Sequence, residues 1–425
     1  VGAAIVNGMG VGRSSEFLSQ WFLDFVVGMH VYTYPINRDR VEFTLNRPSG
    51  FVVSEVVNRY SIRDLYSELE NEVGLVTMDR CHSNAVYVAK KVSLDSIELC
   101  SIVREMLKCS SCSVLGLKDA NAIAYQLVIV RGCRDIERHI SYRRGGRAFD
   151  AYLWLCGKVD VIDLRNSFIV ELRLQSQNSI DIIDKKIELL KNHGYNILNF
   201  FGYQRFGSRR PVTHIIGKKL VEKDWDGFIE TLCGYPFPTE SRDAIIARLQ
   251  WYEDRGRGKL YPYSSIEKEI CSKPIDNPLK VIKTIPRNML QLYLNAYQSY
   301  LFNIVLSRIW INLIERYDLS DALGVIEREI PYIPVPGAST IGASAMVKSI
   351  IDEVLYTEGI NLDDFCIKEL NLCVYGDYRR SYMTVEDFRY SILANSIRLE
   401  FNLESSCYAT VVLREILNAD PLHYT

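Results

Sequence analysis

The chain carries none of the motifs that mark a bound nucleotide or metal. No GxxxxGK[ST] occurs, which excludes a P-loop as far as a motif can, and there is no GxSxG nucleophile elbow. The glycines of "GMGVGRSSE" follow no strand and lack the GxGxxG spacing. Cys109 and Cys112 form a CxxC, but neither a second CxxC nor an HxxxH completes a four-ligand set, so no metal is expected. The 6 histidines stand singly, and His82 and His214 read as surface or capping residues rather than bases. Chemistry, if present, then rests on carboxylate, amide, aromatic and Arg groups, with no cofactor. Covalent catalysis by an aspartate remains open to such a set.

Other shortages narrow the class. The apolar run "WFLDFVVGMHVY" is broken by Asp24 and is too short to cross a bilayer, so no membrane partner is expected. No basic leader with a small-residue cleavage site precedes it, which argues against a secretory signal. The first residue is Val1, so the true start is expected to be missing or processed. The 11 cysteines are odd in number and scattered, the pattern of reduced, intracellular thiols. Net charge is only −2, so the chain as a whole does not advertise a nucleic-acid partner.

What is present is ordinary globular material: 425 residues, 48% hydrophobic and 24% charged, enough for two domains. "GFVVSEVV" (50–57), "AVYVAKKV" (85–92), "SVLGL", "YQLVIVRG" and "FIVELRLQ" (168–175) read as strands. A helix capped by Ser93 follows the second, and another capped by Ser179 and closed by Gly194 follows the last. From about residue 212 the texture turns to longer helices with Pro-rich joints. The stretch 285–317, entered through Pro286, predicts a long, largely buried helix whose Asn295, Gln298, Ser299 and Phe302 share one face. Inter-helix hydrogen bonding explains that strip most simply; a wet or interdomain surface is the alternative. "SIRLEFNLESSCYATVVLREILN" returns to strand and closes on a short helix. The fold class is α+β with a helical domain inserted.

Basic residues cluster locally. "RHISYRRGGR" (138–147, with Arg143 and Arg144), "YQRFGSRRPVTHIIGKK" (203–219, with Arg209 and Arg210), "RGRGK" (255–259) and "YGDYRRSY" (375–382) stand out. Three interleave Arg with Tyr or Phe, the combination that grips phosphate and stacks bases. Within "VLGLKDANAIAYQLVIV" (114–130), Lys118 and Asp119 sit between two apolar runs, with Asn121 and Gln126 behind. A tight turn accounts for Asp and Asn there. A carboxylate fixed between buried strands is also what a nucleophile needs.

"GLKDANAIAYQ" (116–126), "NFFGYQRFGSRRPVTH" (199–214), "LNAYQSYLFN" (294–303) and "CYATVVLRE" (407–415) resemble the TruD family of tRNA pseudouridine synthases, in its archaeal and eukaryotic form. "GFVVSEV" resembles the family's DFxVxE strand, with Gly50 for the Asp. The matches keep the family's order from about residue 27 to 415. The resemblance implies a pseudouridine synthase catalytic domain with a mixed β-sheet, at 1–211 and 373–425, and an inserted, mainly helical TRUD-type domain at 212–372. It implies Asp119 as nucleophile, Phe201 stacking on a flipped uracil and Asn199 holding the active-site loop. Lys118, Asn121, Gln126, Gln204, Arg205, Arg209, Arg210, Arg143 and Arg144 become candidates for RNA or substrate contact. On alternating strand positions, however, Lys118 and Asp119 would point apart. The implied partner is tRNA, modified at uridine 13, by a cytoplasmic (or nuclear) monomer without cofactor.

Departures are visible. Family members commonly carry a Lys shortly before the DFxVxE strand; here Leu45 stands at that place with Arg47 nearby, and Arg does not deprotonate. "LPxGSYAT" becomes "LESSCYAT", with Glu404 and Ser406, and "GDYRRSYM" lacks the Pro that often follows its RR. A catalytically silent RNA-binding protein on the same scaffold is the alternative function. An enzyme acting on free nucleosides would not need several Arg-rich patches.

Overall fold

The computed structural model describes residues 13–36, 40–71, 83–207, 209–254, 262, 264–272, 275–339 and 342–425. The "RGRGK" cluster, His82 and the glycines of "GMGVG" lie outside the described residues. Chain contacts group into two compact units, one of residues 39–195 and 384–409, the other of 1–38, 196–383 and 410–425.

The first unit is built on a mixed sheet that has 11 strands among the described residues. Nine come from one continuous stretch: β1 (Phe43–Leu45), β2 (Phe51–Val57), β3 (Tyr60–Ser61), β4 (Ala85–Val92), β5 (Ser111–Val114), β6 (Ile123–Arg131), β7 (His139–Arg144), β8 (Arg147–Cys156) and β9 (Leu164–Leu174). The hairpin Glu386–Leu393/Ser396–Glu404 completes it by pairing with β9. From that hairpin the order runs β9, β2, β6, β4, β8, β7. Along it β2 and β6 are parallel, and the other neighbours are antiparallel.

Alternation of side chains along β4 buries both its faces. Ala85, Tyr87 and Ala89 join the core under α2 (Ser96–Met106) with Leu99 and Val103. Val86 and Val88 join Ile62 and Tyr66 of α1 (Ile62–Asn71) on the opposite side. Two expected caps shift. Asp95, not Ser93, caps α2, accepting from the N–H groups of Ile97 and Glu98 at 2.7 Å. Ser176, not Ser179, caps α3 (Gln177–Asn192), while Ser179 Oγ accepts from the N–H of Glu42. Backbone position decides both: Ser93 takes a positive φ of 51°, and Ser179 is already inside the helix.

The second unit is mainly helical around Arg287–Ile314, entered through Pro286 as the sequence predicts. Its polar strip serves hydrogen bonds between elements. Gln298 Nε2 donates to the carbonyls of Pro336 and Tyr375, and Ser299 Oγ accepts from Arg205 Nε while donating within its own helix to Asn295 O. His214 is not on the surface: it is buried and stacked 4.9 Å from Tyr300, and burial pushes its pKa down to about 3.

The expectation of reduced thiols fails for Cys109–Cys133, Cys233–Cys271 and Cys366–Cys373, which are disulfides; Cys156 is disulfide-bonded as well. Strand pairing explains the first. Ser111 of β5 opposes Arg131 of β6, so Cys109 and Cys133, 24 residues apart, arrive together just beyond the ends of the pair. The CxxC is therefore split, and Cys112 instead faces Cys100 of α2. Among the described residues no three His, Cys, Asp or Glu side chains group as a metal site, and no helix is long and apolar enough to cross a membrane.

Candidate active site

The parallel pairing of β2 with β6 decides what surrounds Asp119. Val52 lies opposite Ile123, so the segments leading into the two strands run side by side. Arg47 precedes one strand and Asp119 the other, 72 residues apart in sequence. Arg47 Nη1 donates to Asp119 Oδ2 at 2.8 Å and to the carbonyl of Asn121 at 3.1 Å. Its guanidinium also lies 4.2 Å from the Phe51 ring centre. Asp119 Oδ1 accepts from the Asn121 N–H at 2.9 Å, an Asx turn that fixes the second oxygen. The pair is unequal: the Arg47 side chain is 8% exposed and that of Asp119 24%. Burial pulls the Arg47 pKa down while Asp119 opposes it.

Two further side chains, Lys91 and Ser96, tie down the loop. β4 is antiparallel to β6, with Lys91 opposite Ala124, so the C-terminal end of β4 reaches the same edge. Lys91 Nζ donates to Asp119 O at 2.9 Å, to Lys118 O at 3.3 Å and to Leu94 O at 2.5 Å. Burial pushes its ammonium down to about 8, against the favourable charges of Asp119 and Asp95. The Lys118 N–H donates to Ser96 Oγ, which in turn donates to Gln126 Oε1 at 3.1 Å.

Lys118 and Asp119 lie in the loop between β5 and β6 and not on a strand, so strand alternation does not apply; the two side chains take different partners. The Lys118 ammonium pairs with Glu55 Oε1 at 2.9 Å, and both side chains are buried. Glu55 Oε2 accepts from the Leu127 N–H. Burial raises the Glu55 pKa, and Lys118 opposes the rise. Lys118 and Gln126 therefore sit beneath the loop as supports, whereas Asn121 is exposed.

Arg143 and Arg144 end β7, and Arg147 begins β8 across the Gly145–Gly146 turn. Both glycines take positive φ, 57° and 79°, as a two-residue hairpin loop requires. With Lys90 these arginines line a groove of about 480 Å³.

The other candidates lie in the second unit. Asn303 holds the Phe201 backbone at both ends: Oδ1 accepts its N–H at 2.9 Å, and Nδ2 donates to its carbonyl at 3.0 Å. The half-buried Phe201 ring has the Arg379 guanidinium 4.0 Å from its centre and Phe302 edge-on at 5.4 Å. Arg379 donates to Asn199 Oδ1 at 2.7 Å and to Asn199 O, so Asn199 fixes the cation that lies on Phe201. Gln204 accepts from Thr410, and Arg205 Nε donates to Ser299 Oγ. Gly207 has φ 103°, and an added Cβ would stand 2.6 Å from Arg210 O, so the turn admits only glycine. Arg209 is exposed. Arg210 is a correction: it is buried, donating to the carbonyls of Leu232, Thr231 and Tyr235 and lying 3.5 Å from Glu240. It holds the carbonyls at the C-terminal end of the helix Trp225–Cys233, and its side chain, 5% exposed, is not presented at the surface.

In the sequence Arg47 stands out only as a departure from the family pattern, and nothing marks Glu55, Lys91, Asn303 or Arg379 as site residues by position alone. Arg379 lies within "YGDYRRSY", Asn303 ends the "LNAYQSYLFN" motif and Glu55 is the Glu of the DFxVxE-like strand; Lys91 carries no local signal.

The architecture is a pseudouridine synthase fold. It matches the crystal structure of a putative tRNA pseudouridine synthase D from Methanosarcina mazei with a TM-score of 0.62 at 21% identity, over 94% of this chain and 99% of that one. The family model described as tRNA pseudouridine synthase D (TruD) matches residues 27–322 and 315–416. The protein named Probable tRNA pseudouridine synthase D in Saccharolobus solfataricus is 29% identical over 95% of this chain and 99% of its own length. One of the same name in Pyrobaculum aerophilum is 32% identical, over 88% and 92%. The chain belongs to the TruD family.

Proposed function

We propose that the protein isomerises a uridine of tRNA, uridine 13, to pseudouridine, with Asp119 as nucleophile. The N1–C1′ bond breaks and a C5–C1′ bond forms; the C5 hydrogen leaves to water and N1 takes up a proton. Atoms and electrons balance without an external oxidant or reductant. Asp119 attacks C1′ or ring carbon C6, or removes a sugar proton as a glycal forms. The observation that carries the reading is the pairing of Arg47 with Asp119 of the GLKD segment. It presents a partly exposed carboxylate whose two oxygens are oriented by Arg47 and the Asn121 N–H.

Phe201 is the proposed stacking surface for the flipped base, which loses its neighbours when it leaves the helix. Asn199 acts by holding Arg379 on that ring. Asn121, Gln204, Arg205, Arg209, Arg143 and Arg144 are proposed RNA contacts. The catalytic domain is assigned to 1–211 and 373–425 and the inserted domain to 212–372; the compact units divide the chain at other points. The enzyme is proposed to work as a cytoplasmic or nuclear monomer.

A tRNA transcript with tritium at C5 of uridine tests this, because C5 glycosylation must expel the label. Wild type is expected to release tritium and Asp119→Asn to release none while still binding tRNA. No release by wild type on a tRNA panel, with binding intact, would replace the enzyme by a silent RNA-binding protein.

A further inference from the structure

The Lys91 ammonium touches the carbonyls of both Lys118 and Asp119, the two peptide groups that flank the Asp119 α-carbon. Lys91 is fully buried, yet among the described residues no carboxylate is in contact with its ammonium; its three hydrogens face three carbonyl oxygens. Burying a charge is costly unless its hydrogen bonds are met. Here every one is met by a backbone position that a mobile loop would not hold. The third carbonyl, Leu94 O, directly precedes Asp95, which caps α2. Ser96, the first residue of that helix, receives the Lys118 N–H. The start of α2 and the loop of Asp119 are therefore joined through one ammonium and one hydroxyl.

We propose that Lys91 is a positioning residue, latching the Lys118 and Asp119 carbonyls to the start of α2 and so setting the direction of the Asp119 carboxylate. This rests on the reading of Asp119 as nucleophile. Lys91 touches neither base nor sugar in this scheme. The charged groups around its ammonium are Asp119 and Asp95, which favour the cation, and Lys118, which disfavours it. Loss of the proton removes one donor and turns a lone pair towards carbonyl oxygens, so the latch opens on the alkaline side. With burial drawing the ammonium to about 8, that opening falls within reach of ordinary buffers.

Lys91→Met in the full chain keeps the stem and removes all three donors. Hydrogen exchange over 115–122 is expected to quicken at least tenfold, with the strand 85–89 unchanged. Turnover in the tritium assay should fall about a hundredfold, the scale of an ångström of misplacement. KM for tRNA should hold within twofold. Unchanged exchange at 115–122, or quickened exchange with wild-type turnover, would overturn the proposal. If the variant exchanges everywhere and has unfolded, wild type decides. Raising pH from 7 to 9.5, corrected for intrinsic rates, should loosen 115–122 selectively, and a uniform response refutes the latch. If wild type modifies no tRNA, the nucleophile reading fails, while the exchange measurements still judge whether Lys91 holds the loop.

Discussion

Lys118→Met should destabilise the sheet unit by about 3–5 kcal/mol at pH 7.5, the scale for removing one partner of a buried ion pair. Burial sets the magnitude. The side chains of Lys118 and Glu55 are 6% and 0% exposed, so water cannot screen the charge left on Glu55. That residue cannot turn outward without releasing the Leu127 N–H held by its Oε2. The cost should depend on pH in a known direction. The folded-state pKa of Glu55 lies above its ordinary 4.5. Between those two values the folded chain binds the proton more tightly than the unfolded chain, so acidification through that window stabilises the fold. Without Lys118 only the Leu127 N–H still opposes burial, and the window widens upward; the penalty at pH 7.5 should shrink by pH 5.5. Native-state exchange of slow amides in β4 and β6 reads the unit's stability directly, for Lys118→Met, Glu55→Gln and the double variant. The double variant should recover about 2 kcal/mol relative to the sum of the singles, as contacting charges do. A single-variant cost below about 1 kcal/mol, typical of an exposed pair, would refute the reasoning, as would a cost equal at both pH values.

Two other expectations concern RNA contact and the Phe201 segment. Arg143→Ala/Arg144→Ala should flatten the dependence of log K for tRNA on log salt by about 0.7–0.9 per lost phosphate contact, measured by filter binding at several salt concentrations. Arg210→Ala should leave that slope alone and instead lower the melting temperature of its unit. Asn303→Ala leaves the buried or half-buried Phe201 N–H, Phe201 O and Val27 O without their side-chain partner, at about 1–3 kcal/mol for each group not rescued by water. Exchange at the amides of 199–203 should rise first.

Local pattern and tertiary arrangement divided the information unevenly. The alternation of "AVYVAKKV" is β4 residue for residue, and the apolar stretch after Pro286 is the long helix, because periodicity and chain stiffness act over a few residues. Cap choice was less legible. Ser93 and Ser179 are as competent as Asp95 and Ser176, and only the path of the chain into each helix chose between them. The family motifs, read in order, placed Asp119 and Phe201 on the candidate list. They could not say that Lys118 would serve Glu55 and that Arg47 would serve Asp119. Spacing also treated Arg209 and Arg210 alike, although one is exposed and the other holds buried carbonyls. The cysteine count suggested free thiols because it carries no record of which strand ends meet. The sequence by itself thus determined the elements, their order and the segment bearing the proposed nucleophile. The parallel pairing of β2 with β6, and β4 beside them, decided which charges surround it. A contact across 72 residues depends on which strand lies beside which, and no local preference encodes that choice.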